Sequence, residues 1–302
     1  MTLLRANADD LMHVGLDEVL FQKWAEKKFI YTELFDERGS TRKYEKVSGF
    51  SGFGMLVQKN EGADLTPEDP SQGFDTTFTH IAYGLYARVT KEMQDDDQYD
   101  VIKRLPGALT DAVGRTKEYF AASLFNNAFT AAGTYITGGD GEYLGSLSHP
   151  LTGGGTYQNI LTTAADLGVS SLEEALYTLR LTKGDQSEDL ALEPRYLVVP
   201  PQLERTAWEL VQSVGRPDTA NRADNWLKTQ NLQVIVWSKL TDSDAWFLLT
   251  DKSQHGLVFY NRTDLETDSD RDFKSKDFMY SVYTRFSLGW TDWRGFFGTP
   301  GA

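Results

Sequence analysis

The chain has 302 residues, 40% of them hydrophobic and 25% charged, an ordinary composition for a folded protein that buries its core without staples. It contains no cysteine, which excludes disulfides and thiolate metal sites. Its 30 Lys and Arg face 44 Asp and Glu, a net charge of −14, and such a surface argues against a sequence-reading nucleic-acid binder.

The N-terminal stretch MTLLRANADDLMHVGLDEVL carries acids where a signal peptide needs an unbroken apolar run. No segment approaches about eighteen consecutive apolar residues, so no membrane span is expected, and the protein is expected to be soluble and kept inside a cell. Leu16, Val19, Leu20 and Trp24 recur at spacings of three and four and predict one amphipathic helix in an N-terminal arm. Two β-like stretches follow, Tyr44 to Gln58 and Phe74 to Val89, on either side of the acidic, turn-rich NEGADLTPEDPSQG. They predict a long projecting hairpin. Its apolar residues Phe50, Phe53, Met55, Phe74 and Phe78 cannot all be buried within one subunit and need a partner surface.

Val101, Leu105, Leu109 and Val113 stand four apart, and Phe120, Leu124 and Ala128 repeat the spacing, the signature of a long helix. Pro106 and Gly107 are expected to start or kink it, Asp95, Asp96 and Asp97 to favour its positive end, and Gly133 to stop it. A helix of about 25 residues is near 40 Å long. A loop-rich stretch over 134–160 is followed by a helix with Leu172, Ala175, Leu176 and Leu179 inward, capped by Ser170 or Ser171. Then come the strand RYLVVP, a helix from Leu203 to Ser213, and the short strands LQVIVW, AWFLLT and GLVFY. Near the end, Tyr280, Val282, Phe286 and Leu288 alternate with polar residues as a long strand. No βαβ unit repeats, so the fold class is α+β.

Motifs for chemistry fail on inspection. Ser40 to Lys43 matches S-x-x-K, but neither companion motif of the serine acylases is present. The glycines at 138–141 and 153–155 are not followed by G-K-[ST] and read as turns. Asp268, Asp270 and Asp272 begin like a calcium loop, but Phe273 and Met279 stand where glycine and glutamate are required. The four histidines, His13, His80, His149 and His255, have no ligand spacing. His149, before Pro150 in a glycine-rich loop, is the most tempting catalytic candidate, and is expected instead to order its loop through nearby backbone. No catalytic residue, cofactor or metal is assigned.

Three stretches carry a resemblance: GDGEYLGSLSHPLTGGGTYQNILTTA at 139–164 with SLEEALYTLR at 171–180, PRYLVVPPQLERTAWELVQS at 194–213, and NLQVIVWSKLTDSDAWFLLTD at 231–251. They resemble the major capsid proteins of tailed bacteriophages, including the major head subunits of Mu-like prophages, in order as well as in text. The resemblance implies the Hong-Kong-ninety-seven-like capsid fold. By position, residues 1–42 look like the N-terminal arm and 43–93 like the extended loop. Residues 94–133 and 263–290 look like the peripheral domain, with the spine helix at 107–132. Residues 134–262 and 291–302 look like the axial domain. The resemblance implies a non-enzymatic subunit that assembles with itself as pentamers and hexamers into an icosahedral shell. Such a shell encloses double-stranded DNA without reading its sequence, in a virion assembled in the host cytoplasm, with portal and separate scaffold proteins as partners and no membrane. Phe50, Phe53, Met55, Lys59, Phe74 and Phe78 are its expected inter-subunit contacts. Some family members cross-link through a lysine and an asparagine, but nothing here places a partner for Lys59. The rivals are a phage-associated hydrolase and a host-binding module, the latter offering Trp237, Trp246, Trp290 and Trp293 as an exposed platform.

Overall fold

The computed structural model describes residues 17–96, 101–130, 138–186, 188–215 and 224–302. The arm opens with helical residues 17–26 (α1), α2 (Tyr31–Leu34) and strand β1 (Asp36–Gly39). Leu20 of α1 is buried with Leu109, Val113 and Tyr280, so the expected inward face is present; Leu16 lies outside the described residues. A strand in the arm was not expected. β1 pairs in parallel with a strand more than two hundred positions later, a partner that local pattern does not show.

The expected hairpin divides at His80. β2 (Tyr44–Phe50) and β3 (Gln72–Thr79) pair antiparallel as a two-stranded ribbon. β4 (Ile81–Val89) leaves the ribbon and joins a four-stranded sheet, order β1-β10-β11-β4, with β10 at Leu257–Arg271 and β11 at Phe278–Trp290. Period-two alternation runs through both halves of 74–89 and does not say that the partner changes. His80 holds the crossing point: it is buried, its Nε2 is 3.0 Å from Ser40 Oγ and its Nδ1 2.9 Å from Ser287 Oγ.

The short helix α3 (Lys91–Asp95) is capped by Thr90, whose hydroxyl accepts the Met93 N–H. Asp95 therefore ends α3, and Asp97 lies outside the described residues. The long helix α4 is Val101–Asn126, starting six residues before the expected 107 and carrying Pro106 inside it. Pro106 and Gly107 are both buried, so packing offsets the lost donor. Leu109, Val113, Leu124 and Ala128 face inward as their spacing predicts. Gly133 is not among the described residues.

The second sheet has order β12-β9-β7-β8, from β7 (Pro194–Val199), β8 (Gln233–Val236), β9 (Trp246–Thr250) and β12 (Phe296–Thr299). Its alternate residues feed two cores. Leu197, Val199, Trp246, Leu248 and Phe297 meet helices α5 (Val169–Arg180) and α6 (Glu204–Gln212) on one face. Tyr196, Val198, Phe247, Leu249 and Phe296 meet the end of α4 and the other sheet's Phe259 and Phe286 on the other. The cap of α5 is Gly168, whose N–H is accepted by Ser171 Oγ at 2.9 Å, so Ser171 serves from inside the first turn. The short strands β5 (His149–Pro150) and β6 (Thr156–Tyr157), a 3-10 turn at Pro201–Leu203 and helix α7 (Trp226–Thr229) complete the described elements.

β10 also corrects the sequence reading. Only 256–260 was expected to be strand, yet β10 continues to Arg271, paired with β11 as far as Phe278. Beyond Asn261 it has no partner but β11 among the described residues, and Asp264, Glu266, Asp268 and Asp270 are exposed at alternate positions along it. Charged side chains on a free edge block further strand pairing. The same acids hid the strand from a hydrophobicity pattern. A boundary at 262/263 falls inside this strand.

Candidate functional site

Among the described residues, the ribbon carries a long unbroken exposed run. Its root is fixed: Phe78 packs against Val258 and Tyr260, ring centroids 5.2 Å apart in the aromatic pair. The buried Thr76 accepts the Gly139 N–H through Oγ1 at 3.1 Å. Lys46 pairs with Asp75 at 2.6 Å, and that ammonium, with the Ser48 hydroxyl, holds the Asp75 carboxyl down at about 2.

Beyond the root every residue from 55 to 69 is exposed. The two sides remain tied by Ser51 and Ser71, backbone N to O at 3.1 Å, and by the Gly54 N–H donating to Glu68 Oε1 at 2.9 Å. Phe50 and Phe53 form an edge-on pair at 6.2 Å, yet stay 64% and 60% exposed, and Met55 is 88% exposed. Phe74 and Lys59 are exposed as well. Leu56, Val57 and Leu65 belong with them and were missed; the apolar run Met55-Leu56-Val57 was the signal available. Burying one such side chain fully stabilises by about 1.5–3 kcal/mol. Phe78 is the exception among the expected contacts. At 4% exposure it is buried by its own chain, because Val258, Tyr260 and Val47 pack on it, while Phe74, on the same face four residues away, lies nearer the slip in the ribbon's pairing.

Two groups have residue types that could carry chemistry. His149 is fully buried, its Nδ1 2.8 Å from Asp140 Oδ2 and its ring stacked on Trp293 at 4.6 Å. It orders the loop through a carboxylate, not through backbone as expected, and solvent does not reach it. Ser40 and His80 form a Ser–His pair that a separation of forty residues concealed. Ser40 Oγ donates to Glu45 Oε1 at 2.7 Å, which leaves His80 to donate to Ser40 and accept from Ser287. A histidine that donates to the serine is not its base, and burial pushes the His80 pKa down. Among the described residues no three His, Asp or Glu side chains converge as metal ligands.

The model of the family described as "Phage capsid protein" matches residues 74–298, most of the chain. The chain belongs to the phage capsid protein family.

This capsid-family chain is 32% identical over 84 residues to the Mu-like prophage FluMu major head subunit of Haemophilus influenzae. That match spans 28% of the chain and 27% of the relative's length. Among solved structures, it resembles the capsid of a native GTA particle with TM-score 0.61 and 12% identity, over 91% of this chain and 92% of that one. It resembles the bacteriophage JBD30 capsid with TM-score 0.60 and 16% identity, over 72% and 92%. The fold is the α+β capsid fold the sequence resemblance implied. As a capsid protein the chain is structural and non-enzymatic. The four tryptophans of the host-binding rival are each at most 4% exposed and serve as core. Among the described residues no helix is long and apolar enough to cross a membrane.

Proposed function

We propose that this chain is the shell subunit that assembles with itself as pentamers and hexamers into an icosahedral capsid around double-stranded DNA, with the β2–β3 ribbon as its principal inter-subunit contact. Portal and scaffold proteins act as assembly partners, the DNA is enclosed without base-specific contacts, and assembly takes place in the host cytoplasm. The sheet containing β10 and β11, with α4, forms the peripheral half, and the β12-β9-β7-β8 sheet with α5 and α6 forms the axial half. Phe50, Phe53, Met55, Lys59 and Phe74 lie on the contact, joined by Leu56 and Val57.

The observation that carries this reading is the apolar ribbon. Phe53, Met55, Leu56 and Val57 follow one another on a segment that its own chain leaves exposed, which is costly for an isolated subunit and productive in an assembly. The test replaces residues 55–69 by a two-residue Asn-Gly turn. Little core is lost, so the variant keeps the wild-type melting temperature as a free subunit and forms no stable particles by electron microscopy. Particles with unchanged heat and salt resistance would refute the assignment.

A further inference from the structure

We infer that the N-terminal arm and α4 together form a binding site for the phosphate backbone of double-stranded DNA, carried by Lys23, Lys27, Arg104 and Arg115. α4 has glycines at 107 and 114, seven positions apart and so on one face. The arm lies in that trough. The Lys23 side chain crosses Gly107, and a Cβ on Gly114 would stand 2.5 Å from the Phe29 ring. Lys27, four residues after Lys23, pairs with Asp111, four residues after Gly107. Arg115 stands one turn further along α4, and Arg104 three positions before Gly107, where side chains share a face. The result is a row of four cations along about 16 Å of helix.

Lys23, Arg104 and Arg115 are exposed, and among the described residues no carboxylate pairs with them. Asp111 is already held by Lys27, and Glu118 is turned inward to Trp237 Nε1 at 2.7 Å and the Tyr31 N–H at 3.3 Å. The exposed acids of β10 meet a different face of α1, where Trp24 Nε1 donates to Asp264 and Asp17 accepts from Thr267. Burial holds the Lys27 pKa below the usual lysine value, and the neighbouring charges of Arg115 and Lys23 lower it further. These cations repel one another, and an external anion relieves the repulsion. The chain as a whole carries −14, but at ~0.1 M salt charges beyond about 10 Å are screened, so the local excess decides what docks here. A duplex presents phosphates continuously along its length and suits a row of cations better than a compact anion does. The choice of DNA rests on the shell reading, which puts a duplex inside the particle, and it sets this face of the subunit on the inner wall.

Anisotropy of a short fluorescent duplex titrated with the unassembled full chain reads the contact. Three or four phosphate contacts predict that affinity falls roughly 40–150-fold between about 50 and 200 mM salt, whatever the base sequence. Lys23→Gln with Arg115→Gln removes two contacts and flattens the logarithmic salt slope by about 2. Arg205→Gln with Lys228→Gln removes the same charge from exposed positions beside α6 and in α7 and leaves the slope unchanged. Absence of binding by the wild type, or equal flattening in the two variants, would overturn the site. So would tighter binding to polyglutamate than to the duplex at equal charge, which would assign the row to an acidic protein. If the first variant does not fold by circular dichroism, Arg104→Gln at its exposed position must flatten the slope by about 1, and an unchanged slope there overturns the site. Duplex binding by a chain that forms no particles would refute the shell reading and leave the site standing.

Discussion

Phe78 and Phe53 lie on the same ribbon and are expected to fail in opposite ways when cut to alanine. Phe78 is 4% exposed, against Val258, Tyr260 and Val47; Phe53 is 60% exposed, with Phe50 as its aromatic neighbour. Truncating a buried Phe costs about 3–5 kcal/mol through lost transfer energy and the cavity left behind. The cluster around Phe78 is small and can partly collapse, so the low end applies, about 3 kcal/mol. A chain of this size loses roughly 2 °C of melting temperature per kcal/mol, so Phe78→Ala should melt about 6 °C lower. Phe53→Ala should melt within about 1 °C of the wild type, since surface substitutions usually stay within ~0.5 kcal/mol, but should yield few or no particles. Calorimetry on free subunits and sedimentation of assembly mixtures read the two effects separately. Equal melting temperatures for Phe78→Ala and wild type would show that the root is not anchored as described. A large melting loss in Phe53→Ala would show that the ribbon tip is folded back onto its own body.

Leu109→Pro puts a second proline one turn after Pro106 in α4 at a residue 5% exposed, costs roughly 3 kcal/mol or more, and should give insoluble protein; a soluble, assembling variant would mean that the helix does not carry the fold. Lys117→Met should change stability by no more than about 1 kcal/mol, because the partner left behind, Asp264, is exposed and keeps its hydration, while burial, opposed by Asp264, already lowers the pKa of the fully buried Lys117. A loss several times larger in denaturant titration would show that the ion pair outweighs the cost of burying the charge. Stability should also fall in mild acid through His255, whose pKa burial pushes down to about 4. The unfolded chain takes up that proton near the ordinary histidine value, so the effect is absent above about pH 6.5 and grows to roughly 3 kcal/mol as pH falls to about 4. His255→Gln should flatten that part of the profile; an unchanged slope would place the titrating group elsewhere.

Much of the organisation was already in the amino-acid order. The four-residue spacing from Leu105 to Ala128 gives α4, the inward faces of α5 and α6 follow from their apolar positions, and alternation gives β11, because each of these signals is local and repeats with the period of the element that carries it. The family resemblance lay in three stretches of the second half, and the exposed apolar residues of the ribbon were visible as hydrophobics flanking an acidic turn-rich segment. Tertiary structure alone decided the partners. Residues 74–89 keep one alternation through two sheets, and only the pinning of His80 by Ser40 and Ser287 places the change. The acidic continuation of β10 is a strand because β11 satisfies its backbone, not because its side chains favour burial. Pro106 lies inside α4 because packing overrides a local penalty. Phe78 and Phe74 are the same residue type four positions apart on one strand, and whether each meets its own chain or solvent depends on what folds up beside it.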